Sequence, residues 1–175
     1  ELTRELGMAG LLHDLGKATT PADILPRHIG HEERSVRLAE KLCARLKVPV
    51  DCRDLASLMA RYHGNIHRSS ELRAATIVGL FEKTDALRRP ARFQQLLDAC
   101  LCDFTGRLGW EDRPYDSPQR LLAALVAVNA VDAGKIALAC SDKSKIPDRV
   151  RAARVAAVKA LLNEPGDEPE QQGKE

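Results

Sequence analysis

An all-helical fold is what this sequence predicts, and three observations predict it. Apolar residues recur at helical spacing along most of the chain, and alternating β-branched runs bounded by turns are nearly missing. The composition is 44 % apolar but only 3 % aromatic, and its Ala, Leu, Val and Arg favour helices packed through aliphatic side chains. At 175 residues the chain suits one domain of ordinary size with a small appended subdomain.

The first helix is predicted from about Leu2 to Asp14, with Gly16 as its C-cap and Pro21 as a stop. It is in helical register from its first residue, with no N-cap and no initiating Met, so the chain is expected to be a fragment of something longer. A loop, ATTPADILPRHIG, leads to the second helix, HEERSVRLAEKLCARLKVP, whose stripe is Val36, Ala39, Leu42, Cys43 and Leu46. The third, DCRDLASLMARYHGN, opens on Asp51 as N-cap, turns Leu55, Leu58, Met59 and Tyr62 inward and finishes at His63 and Gly64. AATIVGLFEKTDALRRP gives a fourth, broken at Pro90, and ARFQQLLDACLCDFTGR a fifth, closed by Gly106. SPQRLLAALVAVNAV is a sixth, with Ser117 as N-cap and Pro118 at the first helical position, and a last helix runs from about Asp148 to Leu162. The polar tail NEPGDEPEQQGKE is expected to be disordered.

The formal charge of +2 creates no global field for nucleic acid, although LRRPARF and DRVRAARVAAVK are local basic clusters. Five cysteines without C-x-x-C spacing, and no secretory signal, point to reduced thiols in the cytoplasm. No apolar run is expected to approach the roughly 20 residues that span a bilayer, so no membrane partner is predicted.

The chemistry concentrates in LLHDLGK. Apolar and small residues lead directly into His13 and Asp14, drawing at least one of them toward the core, where an unpaired carboxylate costs several kcal/mol. A buried Asp wants a cation, and imidazole with carboxylate holds first-row divalent ions. Of only five histidines, His13, His31, His63 and either His28 or His67 fall at helix ends or in adjoining loops, where polar side chains can converge.

LLHDLGKATTP, LPRHIGHEERSVRLAEKLCARLKVP, RDLASLMARYHGNIHR, TIVGLFEKTDALRRPARF and DFTGRLGWEDRPYD together resemble the HD-domain region of bacterial multifunctional CCA proteins, tRNA nucleotidyltransferases with a C-terminal HD phosphohydrolase domain. The resemblance extends to about Leu162. It implies a helical HD bundle over residues 1–105, with additional C-terminal helices over 106–163 packed on it and a tail over 164–175. It also implies His13 and Asp14 as signature metal ligands, Asp85 as the terminal Asp of the pattern, and His31 and His63 as ligands to a second ion. Lys17 is placed for phosphate, or as a helix-dipole partner. His28 and His67 are weaker candidates for that second ion, and Arg27 and His28 are further phosphate candidates.

The implied cofactor is a divalent metal, Mg or Ni. The implied activity is hydrolysis of nucleotide 2′,3′-cyclic phosphates, with 2′-nucleotidase and phosphatase activity, serving the tRNA 3′ end through a longer protein that is a possible homodimer. Two features depart from the family. Its pattern begins with a further His, yet none precedes His13, and the nucleotidyltransferase motifs are missing, so this chain alone is not expected to add CCA. A helical module that holds the tRNA body or dimerises, with an incomplete metal site, is therefore the alternative, and an HD enzyme acting on a free guanosine polyphosphate ranks last. In TGRLGWEDRPY, Trp110 is expected as the hydrophobic peg of a rigid turn in preference to a direct tRNA contact.

Overall fold

A computed structural model describes residues 3–163, which form α-helices joined by turns and short 3-10 segments, with no strand among the described residues. The all-helical prediction holds. The residues 164–175 expected to be a disordered tail lie outside the described part.

Thr3 starts α1 (Arg4–Leu12) by accepting the Leu6 N–H at 3.3 Å. The helix ends earlier than the sequence predicts: His13 is its C-cap, and the chain tightens at once into a 3-10 turn over Leu15–Thr19. Gly16 belongs to that turn and is no C-cap. A Cβ there would fall 2.6 Å from the Ser35 nitrogen and nearer still to the His31 carbonyl, so only glycine lets the turn lie against the next helix. Its N–H donates to Ser35 Oγ at 2.8 Å. Arg34 fastens the following loop, donating to the carbonyls of Gly16 and Ile29 and to Thr20 Oγ1.

The helix thus held is α2 (His31–Leu46), followed by α3 (Val50–His67). Pro49 precedes α3, which places Asp51 in the first turn with no side-chain cap. At its other end α3 runs a turn past Gly64, contrary to expectation, and the Gly64 carbonyl accepts the Arg68 N–H. His63 and His67, four residues apart, therefore share one face. α4 (Ala74–Lys83) and α5 (Pro90–Thr105) follow, Pro90 opening α5 and Gly106 capping it. Then come α6 (Ser117–Asn129), where Asp116 and not the expected Ser117 holds the N-cap position without a side-chain bond, α7 (Ala133–Ala139), and α8 (Ile146–Asn163).

One hydrophobic cluster joins these helices, with Met59 and Ile66 of α3, Ile77 and Phe81 of α4, Phe93 and Leu96 of α5, Leu121 and Val128 of α6, and Val158 of α8. Phe81 and Phe93 meet edge to face at 5.4 Å between centroids. Leu12, Ala39, Cys43 and Ala56 form a smaller cluster beneath α2. All five cysteines are free. The expectation on apolar runs needs correcting: Ser117–Ala139, 23 residues, is long and apolar enough to cross a membrane by length and composition. Here it divides at Asp132 into α6 and α7, and α6 buries Leu121, Ala124, Leu125 and Val128 in the core.

Candidate metal centre

The early end of α1 matters because consecutive residues then leave the helix in different directions while staying close in space. His13 is 7 % exposed, and its Nδ1 bonds the Gly10 carbonyl at 2.7 Å. His63 on α3 is equally buried, with Nδ1 on the Met59 carbonyl at 2.9 Å, and His31 at the start of α2 has Nδ1 on the His28 carbonyl at 3.0 Å. A carbonyl only accepts, so each ring keeps a proton on Nδ1 and, when neutral, turns an Nε2 lone pair inward, the tautomer that metal-ligating histidines adopt.

These nitrogens converge on Asp14. Its Oδ1 stands 3.3 Å from His31 Nε2 and 3.7 Å from His63 Nε2, and the two Nε2 atoms are 3.5 Å apart. Its Oδ2 lies 3.3 Å from His13 Nε2 and accepts from Lys17 Nζ at 2.6 Å. His13, Asp14 and His63 each offer a ligand atom, all within 4.8 Å of one another. With the rings neutral, lone pairs face lone pairs here, and Asp14 Oδ1 is buried with no hydrogen-bond donor. A divalent cation resolves that arrangement, because it satisfies several acceptors at one point. The residues therefore fit a metal.

A second carboxylate arrives that the sequence reading missed. Asp103, in the last turn of α5, sets Oδ1 3.4 Å from His13 Nε2, while its Oδ2 takes hydrogen bonds at 2.9 Å from both His67 Nε2 and Arg107 Nη2. Asp85, the residue expected in this role, is not brought to the cluster. It sits in the turn after α4 with φ 56°, bonded to Arg88 and 3.5 Å from Arg89, because the end of α5 and not its start runs past the end of α1. A signal for Asp103 existed: it falls three residues after Cys100 and seven after Leu96, on the buried stripe of α5, where an acid needs a partner.

The electrostatics follow from this crowding. Burial disfavours a charged His13, but hydrogen bonds to Asp103 and Asp14 outweigh it and raise the imidazole to about 9. Burial likewise opposes the Asp14 carboxylate, yet His13 and Lys17 hold it well below the usual range. Asp103 is also depressed, by bonds from His13 and His67. His63 moves down, through burial and then the charge of His13. The two acids thus draw positive charge to the same spot, and a metal ion competes there with a proton.

Of the other predicted residues, His28 bonds Thr20 Oγ1 at 2.8 Å through Nδ1, and Arg27 is exposed in the same loop. Neither side chain is bonded to the cluster, although the His28 carbonyl orients His31. Trp110 packs on Phe104 at 4.9 Å between centroids, with Arg113 and Arg107 over its ring, as a peg would.

Residues 1–103 match the family model described as "HD domain", and the chain belongs to that family. HD domains make up a superfamily of metal-dependent hydrolases. More particularly, the chain is similar to proteins named multifunctional CCA protein: 74 % identical to that of Dechloromonas aromatica over 97 % of this chain, and 61 % and 58 % identical to those of Cupriavidus necator and Burkholderia ambifaria over 88 %. It spans about two fifths of these relatives, 41 %, 38 % and 38 % of their respective lengths. No solved structure matches it.

Proposed function

We propose that this chain is the metal-dependent phosphohydrolase part of a CCA-adding tRNA nucleotidyltransferase, acting in the cytoplasm on 2′,3′-cyclic phosphates and on 2′-phosphates at damaged or immature tRNA 3′ ends. The observation that carries the hydrolase reading is the convergence of three imidazole Nε2 atoms on the Asp14 carboxylate, those of His31 and His63 on its buried, donorless Oδ1 and that of His13 on its Oδ2. The tRNA context is supported by the relatives' name alone.

His13, Asp14, His31, His63 and Asp103 would hold one or two divalent ions, Mg or Ni by resemblance. Such an ion polarises a phosphoryl oxygen and acidifies water. The chain's own part is positioning and charge. The carbonyls of Gly10, His28 and Met59 orient the three rings. Lys17 keeps its ammonium at the rim on Asp14 Oδ2, 43 % exposed, where it offsets the negative charge of a phosphate. Arg34 braces the loop that carries His28 and Arg27 beside that rim.

The test is hydrolysis of 2′,3′-cyclic AMP with added Ni or Mg, against a His13→Ala/Asp14→Ala control. Metal-dependent turnover lost in the control supports the reading, and no turnover with a folded, metal-loaded chain overturns it.

A tRNA-holding role is compatible with the same chain. A cavity of about 520 Å³ is lined by Arg53, Arg61, Lys83 and Arg92, none of which belongs to the metal cluster, although Glu40 and Asp54 also line it. Uniform loss of tRNA affinity in an Arg61→Ala/Lys83→Ala variant, with cyclic AMP hydrolysis unchanged, is the result that reading expects.

A further inference from the structure

The residues matched by the HD family end at Asp103, yet the hydrogen bonds that fix Asp103 do not. Its Oδ2 faces His67 Nε2 at 2.9 Å, and His67 Nδ1 faces the Tyr115 hydroxyl at 2.9 Å. The proton pattern along this path has one consistent solution for neutral His67. An ionised carboxylate only accepts, so Nε2 carries the hydrogen and Nδ1 is left to accept the Tyr115 O–H. This is the reverse of the tautomer in His13, His31 and His63, whose Nδ1 atoms meet carbonyls. His67 thus lies beside the metal cluster, 6.0 Å from His63 between ring centroids, but its Nε2 is committed to Asp103.

We infer that Tyr115 and His67 form a positioning relay from the C-terminal extension, which commits Asp103 Oδ2 to hydrogen bonds so that Oδ1 is presented to the metal beside His13. Arg107 completes the assignment by giving Oδ2 a second donor at 2.9 Å. Three further contacts hold the relay. The Tyr115 ring stacks on Phe104 at 4.4 Å, one residue from Asp103. Ser117 Oγ bonds the His67 carbonyl at 3.5 Å, and Arg120 Nε bonds the Ser69 carbonyl at 3.3 Å. The extension therefore closes around the end of α3 and fixes the direction of a side chain in α5. Partners of this kind orient ligands, and their removal typically weakens metal binding by 10–100-fold.

The inference rests on the metal-centre reading of the proposed function, and its test separates the two. Ni²⁺ affinity is measured by calorimetry, and bound Co²⁺ by its visible absorption, in wild type, Tyr115→Phe, His67→Ala and His67→Gln, with urea unfolding of each metal-free protein as the fold control. Tyr115→Phe keeps the ring on Phe104 and removes only the hydroxyl. Expected is a roughly threefold to tenfold loss of Ni²⁺ affinity in Tyr115→Phe and a loss of about 10–100-fold in His67→Ala. His67→Gln, whose amide still donates to Asp103, recovers part of that loss, and Tyr115→Phe adds nothing in the His67→Ala background. A changed Co²⁺ spectrum at unchanged unfolding midpoint marks positioning. Wild-type Ni²⁺ affinity and Co²⁺ spectrum in both Tyr115→Phe and His67→Ala overturn the relay, as does an effect confined to the unfolding midpoint. Failure of the wild type itself to bind either ion overturns the metal-centre reading, and the relay with it.

Discussion

Asp103 Oδ1 and His13 Nε2 meet at 3.4 Å, joining the last turn of α5 to the end of α1 through two side chains that are both largely buried. The contact makes Asp103 the second acid of the cluster, beside Asp14, and leaves Asp85 to the arginines of its own turn.

The first prediction separates these two acids. Asp103→Asn removes an anionic ligand atom while keeping shape, and should weaken Ni²⁺ binding by about 100-fold, whereas Asp85→Asn should stay within about twofold of wild type, as expected for a residue away from the ligands. Calorimetric titration of the two variants decides it, and equal losses would restore Asp85 as a ligand.

Lys17 tests the division between holding metal and meeting phosphate. Its ammonium touches Asp14 but is nearly half exposed, so Lys17→Met should leave Ni²⁺ affinity close to wild type and lower kcat/KM for cyclic AMP by roughly tenfold. A fall in metal affinity as large as the fall in kcat/KM would instead make Lys17 a support for Asp14 alone.

How much of this was legible in the sequence differs by level. Most helices were, because the stripes in α2, α4 and α5 have clean helical spacing, but the short α7, which buries no residue, was not predicted. His13, Asp14, His31 and His63 were named together and do meet around Asp14. The choice between acids was not legible, since it depends on which end of α5 crosses α1, a tertiary relationship that spacing does not encode. The extent of α3 was misjudged for a local reason: Gly64 was read as a terminator, but neighbouring packing by Ile66 holds one more turn in place and puts His67 beside Asp103. The role of Tyr115 was equally hidden, since a hydroxyl in a Pro-bearing turn gives no sign of the imidazole it will reach.

The core should answer to truncation in the usual way. Phe81 and Phe93 are fully buried and in edge-to-face contact, so either Phe→Ala change should cost about 3–5 kcal/mol in urea unfolding. The exposed Arg151–Glu82 pair, 3.1 Å apart and joining α8 to α4, should contribute well under 1 kcal/mol. A larger loss in Arg151→Ala than in Phe93→Ala would mean that α8 is held by charge and not by Val158 and its neighbours.

Glycine substitutions in the first two turns of the site give the most direct test of its architecture, because two sites in one short stretch should respond with opposite signs. Gly16→Ala would force a Cβ against backbone atoms of His31 and Ser35, which belong to a packed helix and cannot swing aside. Such overpacking should cost about 1–3 kcal/mol, and relief by moving α2 would carry His31 away from Asp14, so Ni²⁺ affinity should fall along with stability. Gly7 lies in α1, where an added Cβ meets nothing within 4 Å. Gly7→Ala should therefore stabilise the chain by about 0.5–1 kcal/mol through helix propensity alone, with metal affinity unchanged. Urea unfolding and Ni²⁺ titration on both variants check the pair. If Gly16→Ala destabilised the chain yet bound Ni²⁺ as wild type does, the Leu15–Thr19 turn would be a packing feature only, and the approach of α2 to α1 would not be what places His31 at the cluster.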